Sequence, residues 1–493
     1  MNKPTIHVNR EANLGALHEA FRFQVEAVEA IKDLEYAAVF HEQGLGKTKI
    51  AIDTLLHWLT TQTVDSVIVV TKRGLVPNWA REFKSHTHIK PRVLSQDRHA
   101  NFIALNSPVR VYLTHYEVLN SENERLRLFQ KTRKVGIIFD ESQKIKNPDA
   151  IVTQSAISLS EGFVRRLILT GTPIANRPFD LWSQIYFLDL GKSLGTDFKL
   201  FKSDLDLDAS LATDDKKRID FESQLSELFQ KISSFSVRET KASGAISLPS
   251  KEIQTIRCEW ENKQYEMYQS IKNEMKAIVV KNGVPTEDNA DALLKRLLRL
   301  VQIASNPKVI DESYHCMPGK MEALLDIIEP IINHGEKAII WTSFTKNADW
   351  LAKELQQFGC VKVHGKMPQS NRTHSIDQFL DNAKKRILIA TPGAAKEGFT
   401  LTVSNHVIFY DRGFSLDDYL QAQDRIHRIS QKKVCYVYNL LMKDSIDEWV
   451  DVLLKAKHLA AQLGQGDISI EEYRLYAKYE FSYVLSEILG INE

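Results

Sequence analysis

Ten short apolar runs, arranged in two series of five, constrain this chain more than any other feature. The first series falls at 36–40, 66–71, 109–114, 135–140 and 166–170; the second falls at 337–342, 360–364, 386–391, 406–411 and 434–440. Each run offers apolar side chains to both faces of a strand, and the stretches between them read as amphipathic helix. Strands that need cover on both sides belong to parallel sheets with helices packed on each face. Two such series predict an α/β chain of two doubly wound parallel-sheet domains. Ligands in that architecture sit at the carboxyl ends of strands, and the polar segments of interest follow these runs.

The length of 493 residues is too great for one core and fits two. Residues 191–235 and 262–305 are charged and helix-forming, which predicts a helical protrusion from each lobe, the second stopped by Pro307. Gly, Ser and Pro over 243–254 predict a linker, so the lobes are expected at 1–245 and 246–493. The second is expected to close with helices over 468–489. Four separated cysteines form no CxxC pair, arguing against a zinc site or a disulfide framework. The net charge of +1, from 64 basic and 63 acidic residues, excludes a polycation; nucleic acid would have to be gripped by a local groove. No run is long and apolar enough to cross a bilayer, and the first residues lack the apolar stretch of a signal peptide. An intracellular monomer with no membrane partner is expected, cytoplasmic and of bacterial or viral type sooner than nuclear.

The chemistry begins after the first run. In GLGKT (44–48) the glycines let backbone N–H groups approach phosphate oxygens, and a helix starting at Lys47 aims its positive end at the same anion. Gly44, Leu45, Gly46, Lys47 and Thr48 are therefore candidate nucleotide contacts, with Lys47 on the β and γ phosphates and Thr48 on Mg²⁺. A glycine turn that merely precedes a helix is the bland alternative. The run ending in Asp140 and Glu141 suits metal chemistry: Asp140 would hold Mg²⁺ and Glu141 would polarise the attacking water. The phosphate loop is expected on a strand next to theirs. Thr170 and Thr172, after the fifth run, are placed to hydrogen-bond the acidic loop and relay its state to the other lobe. Gln24 offers an amide suited to an adenine edge. In QAQDRIHRISQ (421–431), Arg425 and Arg428 are predicted to share a helix face with Gln421. Guanidinium groups there would stabilise charge spread over a phosphoryl group, provided the second lobe folds back onto the first.

Read in chain order, FRFQ, EQGLGKT, TKRGLVPNWAREF, LTHYEVL, DESQKIKN, LTGTPIANRPFDLWSQIYFL, SVRETK, LVQIASNP, IIWTSFT, KVHGKMPQSNR, IATPGAAKEGFTLT and QAQDRIHRISQ resemble helicase superfamily two, and within it the Swi/Snf-type DNA-translocating ATPases. The resemblance implies two tandem RecA-like domains and use of ATP with Mg²⁺. It implies nucleotide contacts by Gln24, Gly44, Gly46, Lys47 and Thr48, hydrolytic acids at Asp140 and Glu141, and fingers at Arg425 and Arg428. By the same carry-over Thr71, Lys72, Thr114, Thr345 and Thr391 would meet a DNA backbone, and Gly398 would lie in the segment coupling DNA to ATP. Departures from the family pattern are Gln143, where a histidine is usual, and His41 and Gln43, where an acid and a methionine are usual. The expected function is a DNA-stimulated ATPase that moves along double-stranded DNA, with a protein partner supplying targeting. A strand-separating or branch-migrating helicase of the same fold is the alternative.

Overall fold

The computed structural model describes residues 13–207, 209–282, 290–394 and 400–477. Seven strands form the first sheet: β1 (Tyr36–Val39), β2 (Ser66–Thr71), β3 (Arg92–Val93), β4 (Val111–His115), β5 (Val135–Asp140), β6 (Arg165–Leu169) and β7 (Ser236–Val237). Six form the second: β8 (Lys251–Cys258), β9 (Ala338–Trp341), β10 (Cys360–Val363), β11 (Ile387–Ala390), β12 (His406–Phe409) and β13 (Cys435–Met442). Their orders are β3-β4-β2-β5-β6-β1-β7 and β10-β11-β9-β12-β13-β8, with every strand pairing parallel. All ten expected strands are present, in two parallel α/β lobes.

The two-faced burial inferred from the runs is real. Along β2, Val67 and Val69 enter the apolar cluster on one face of the sheet while Ile68 and Val70 enter the other. In β9, Ile339 and Trp341 point one way and Ala338 and Ile340 the other. Fully burying such side chains stabilises the fold by ~1.5–3 kcal/mol each, which is why these strands admit little polarity.

Three strands escape the sequence pattern. β3 and β7 pair over only two residues each. β8 is an edge strand whose residues are mostly exposed, so KEIQTIRC lacks an apolar run. Part of the expected linker at 243–254 is therefore β8, and the chain passes between sheets over 238–250. Helices Phe198–Leu205 and Asp215–Ile232 lie in the first predicted protrusion, Asn262–Asn282 and Ala290–Ser305 in the second. The long helix Ile446–Gly464 leaves the second sheet and reaches the first lobe. A Cβ added at Gly464 would stand 2.7 Å from Ile174 and 2.8 Å from Leu225. Residues on both sides of that contact belong to one continuous apolar cluster. Of the expected C-terminal helix, Ile470–Tyr476 is seen, and 478–493 lie outside the described residues. Among the described residues no helix is long and apolar enough to cross a membrane.

Candidate functional site

The phosphate-type loop follows β1 and opens the helix Lys47–Thr60. Gly44 and Gly46 adopt φ of +86° and +72°, a region that costs an L-residue ~1–2 kcal/mol. Gly46 is required twice over, since a Cβ there would sit 2.2 Å from Gln24 Nε2. Gln24, on the helix Arg22–Ile31, braces the loop by donating to the Leu45 carbonyl at 3.2 Å and accepting from the Phe21 N–H at 3.0 Å. Leu45 thus enters the site through its backbone, its side chain being buried. Lys47 donates to the carbonyls of His41 (2.9 Å) and Glu42 (3.1 Å), and burial pushes it down to about 8.

The acidic pair stands at the end of β5. Strand β6 separates β5 from β1, so the loop and the acids are not on neighbouring strands as expected; they meet because both lie at the carboxyl edge. Asp140 Oδ2 accepts from Thr71 Oγ1 at 2.8 Å and from Trp79 Nε1 at 2.7 Å. Asp140 Oδ1 accepts no hydrogen bond from the described residues. Burial, with the neighbouring Glu141 charge, raises the Asp140 carboxyl. Glu141 is held in the left-handed region at φ +57°, a conformation that stores ~1–3 kcal/mol and clusters at working sites. Burial would raise its carboxyl, but Lys72 at 3.0 Å, with Lys47 and Arg425 behind it, holds it well below the usual carboxylate range. Gln143 donates to Glu141 Oε2, and Gln43 donates to Oε1 at 3.4 Å.

The second lobe completes the cleft. The helix Leu416–Gln423 ends before the arginines, so Arg425 and Arg428 lie in the turn that follows and not on a shared helix face with Gln421. The turn is pinned across the lobes: Lys241 binds Asp424 at 2.7 Å and the His427 carbonyl at 2.9 Å. Arg428 reaches Thr400 Oγ1 at 3.0 Å and lies so close over the loop that a Cβ on Gly44 would meet its Cγ at 3.1 Å. Burial, and then the charge of Arg425, push Arg428 down to about 9, which leaves it cationic at neutral pH. A cleft of about 480 Å³ is lined by Gln24, Gly44, Gly46, Lys47, Thr48, Trp79, Asp140, Glu141, Thr400, Arg425 and Arg428. A larger groove of about 1030 Å³, along Arg98, Arg125 and Ser158, is lined by the first lobe alone, and its charges include the pairing of Arg125 with Glu122.

Residues 30–309 match the family described as the SNF2-related domain, and residues 319–430 match the helicase conserved C-terminal domain. The chain belongs to the SNF2-related family. Among its relatives is an uncharacterized ATP-dependent helicase of Mycoplasma pneumoniae, 30% identical over 445 residues, covering 87% of this chain and 40% of that protein. A putative ATP-dependent helicase/translocase of Bacillus subtilis is 28% identical over 85% of this chain and 45% of that protein. The SNF2-related chain described here thus spans less than half the length of these curated relatives. A solved structure of the Sulfolobus solfataricus SWI2/SNF2 ATPase core in complex with dsDNA is 26% identical, covering 95% of this chain and 99% of that one, with a TM-score of 0.42.

Within this family, the expected nucleic-acid positions divide. Thr71 and Thr114 are buried, and their hydroxyls serve Asp140 and the Leu94 carbonyl. Thr71 ends β2 and Thr114 lies one residue before the end of β4, and each hydroxyl is taken by a group at or just beyond the end of the neighbouring strand. Lys72 is engaged with Glu141, Thr345 begins the helix Thr345–Glu354, and Thr391 is buried just after β11. Gly398 lies outside the described residues. Sequence reasoning gave no role to Trp79, although a buried indole N–H needs an acceptor and here finds Asp140. It also overlooked Lys241 and Asp424, whose pairing joins segments 183 residues apart.

Proposed function

We propose that this chain is a DNA-stimulated ATPase that hydrolyses ATP to ADP and phosphate between its lobes and uses lobe closure to move along double-stranded DNA. The carrying observation is that Arg428 of the second lobe covers the glycine loop of the first, in one cleft with Lys47, Asp140, Glu141 and Arg425. Lys47 would take the β and γ phosphates once released from the His41 and Glu42 carbonyls. Glu141, ionised and oriented, would polarise the attacking water and accept its proton, while the guanidinium groups would spread the transition-state charge. Thr48 and Asp140 fit Mg²⁺, since the donors are hard oxygens and Asp140 Oδ1 is not claimed by the described residues. When bound, the cation would offset phosphate charge and orient the triphosphate.

Thr71, Lys72, Thr114, Thr345 and Thr391 are proposed to line the track side, with Thr71 and Lys72 also joining it to the acidic pair. Phosphate-directed binding of this kind is weakly sequence-dependent and salt-sensitive. The domain division at 245/246, monomeric action and partner-supplied targeting complete the proposal. The Mycoplasma and Bacillus relatives, named as an ATP-dependent helicase and a helicase/translocase, support it.

The test is phosphate release measured with duplex, single-stranded, forked and RNA substrates at two salt concentrations. Duplex DNA is expected to raise turnover, Lys47→Ala and Glu141→Gln to abolish it, and Glu141→Gln to retain ATP binding. Turnover indifferent to duplex DNA refutes the motor. Unwinding of a fork without displacement of a triplex strand would replace it by the strand-separating helicase.

A further inference from the structure

Six polar side chains around the acidic pair form a closed hydrogen-bond circuit that crosses between the lobes twice. Gln143 donates to Glu141 Oε2 and accepts from Thr170 Oγ1 at 2.7 Å; Thr170 Oγ1 in turn accepts from the Thr172 N–H at 3.0 Å. Thr172 Oγ1 then donates across the seam to Asp417 Oδ1 at 2.6 Å. Within the second lobe, Gln421 Nε2 donates to the same Asp417 oxygen at 2.7 Å, and it also returns across the seam to Glu141 Oε2 at 3.3 Å.

The donor and acceptor counts agree at every step. The Gln421 amide has two hydrogens, one for each carboxylate. Each threonine hydroxyl has one hydrogen, and Thr170 also uses a lone pair to receive the Thr172 N–H. Asp417 is buried, sits in the first turn of the helix Leu416–Gln423, and is the point where both crossings meet. The adjacent Leu416 N–H donates to Asn176 Oδ1 of the first lobe at 2.9 Å, which fixes that turn at the seam.

We propose that Asp417 is a positioning residue for hydrolysis: by receiving Thr172 and Gln421 together, it lets the Glu141 carboxylate be held in its working orientation only when the lobes are closed. This rests on the ATPase reading above and adds a gate to it. With the lobes apart, both crossings break and Glu141 keeps only its first-lobe partners. Water attack is then mispositioned, which ties fuel use to closure. Buried networks of this type act as units, so pairwise removal reveals them.

The experiment is steady-state ATPase of the full chain, with and without duplex DNA, for Asp417→Ala, Asp417→Asn, Thr172→Val and the pair Asp417→Ala/Thr172→Val. An asparagine keeps an oxygen at the position that accepts both bonds; alanine does not. Expected are a fall in kcat of roughly tenfold or more for Asp417→Ala and Thr172→Val, with the KM for ATP within about twofold. Asp417→Asn should stay within about threefold of wild type, and the pair should be no slower than the slower single variant. If Asp417→Ala loses its cooperative unfolding transition, Thr172→Val cuts the same crossing from the other lobe and carries the test. An unchanged kcat in Thr172→Val, additive losses in the pair, or folded Asp417→Asn as slow as Asp417→Ala would overturn the proposal. A wild-type chain that releases no phosphate refutes the ATPase reading itself; a working wild type with indifferent variants refutes only the gate.

Discussion

Replacing Asp467 by asparagine should loosen the seam without harming either lobe. Asp467 follows the helix Ile446–Gly464 of the second lobe and forms a two-pronged ion pair with Arg238, which follows β7 of the first. Their side chains are 14% and 8% exposed, so solvent screens the pair poorly. Arg238 also donates to the Phe40 carbonyl at 2.7 Å, which orients the guanidinium but leaves its charge unbalanced once Asp467 is neutral. Breaking one side of a buried pair costs about 3–5 kcal/mol, because the remaining charge stays desolvated. The lower figure is roughly a 10²-fold shift in equilibrium. Since the partners lie on different lobes, the cost falls on closure more than on the folding of either sheet. Fluorophores on the two lobes, read without nucleotide, should report a longer mean separation in Asp467→Asn, and a non-hydrolysable ATP analogue should shorten it again. Arg238→Gln should behave alike, and the double variant should be no more open than the worse single one. An unchanged separation in both single variants, with folding intact, would show that the pair does not hold the seam.

Gly46→Ala combines a positive φ with loss of the Gln24 brace, so it should lower unfolding stability by about 2–4 kcal/mol in urea titration and abolish detectable ATP binding. Lys47 sits at about 8 before ATP binds, and a lysine loses its charge as pH rises through that value. The kcat/KM for ATP should therefore fall above pH 8, whereas kcat at saturating ATP should hold to higher pH, because bound triphosphate stabilises the ammonium; parallel falls in both would refute this.

Much of the site was legible because phosphate chemistry demands fixed residue types at fixed places along the chain. The glycine loop, Lys47 and the Asp140–Glu141 pair follow buried strands, and burial on both faces leaves an apolar signature that sequence displays. What sequence hid is of another kind. Edge strand β8 keeps most of its side chains in water and so carries no such signature. The break before Arg425 coincides with the bridge from Lys241 to Asp424, a contact between lobes that helix propensity ignores. The bond from Thr71 to Asp140 joins residues 69 positions apart and leaves no local sign in the sequence. Local patterns specify the two sheets; the partners across the seam exist only once both have folded.

The apolar continuity through Gly464, Ile174 and Leu225 has a consequence for temperature. Prising the halves apart at that point wets oily surface, and the penalty for doing so shrinks in the cold. A molecule fastened this way slackens on cooling, so under the motor proposed above its coupling of fuel to movement should deteriorate at low temperature sooner than its grip on the fuel.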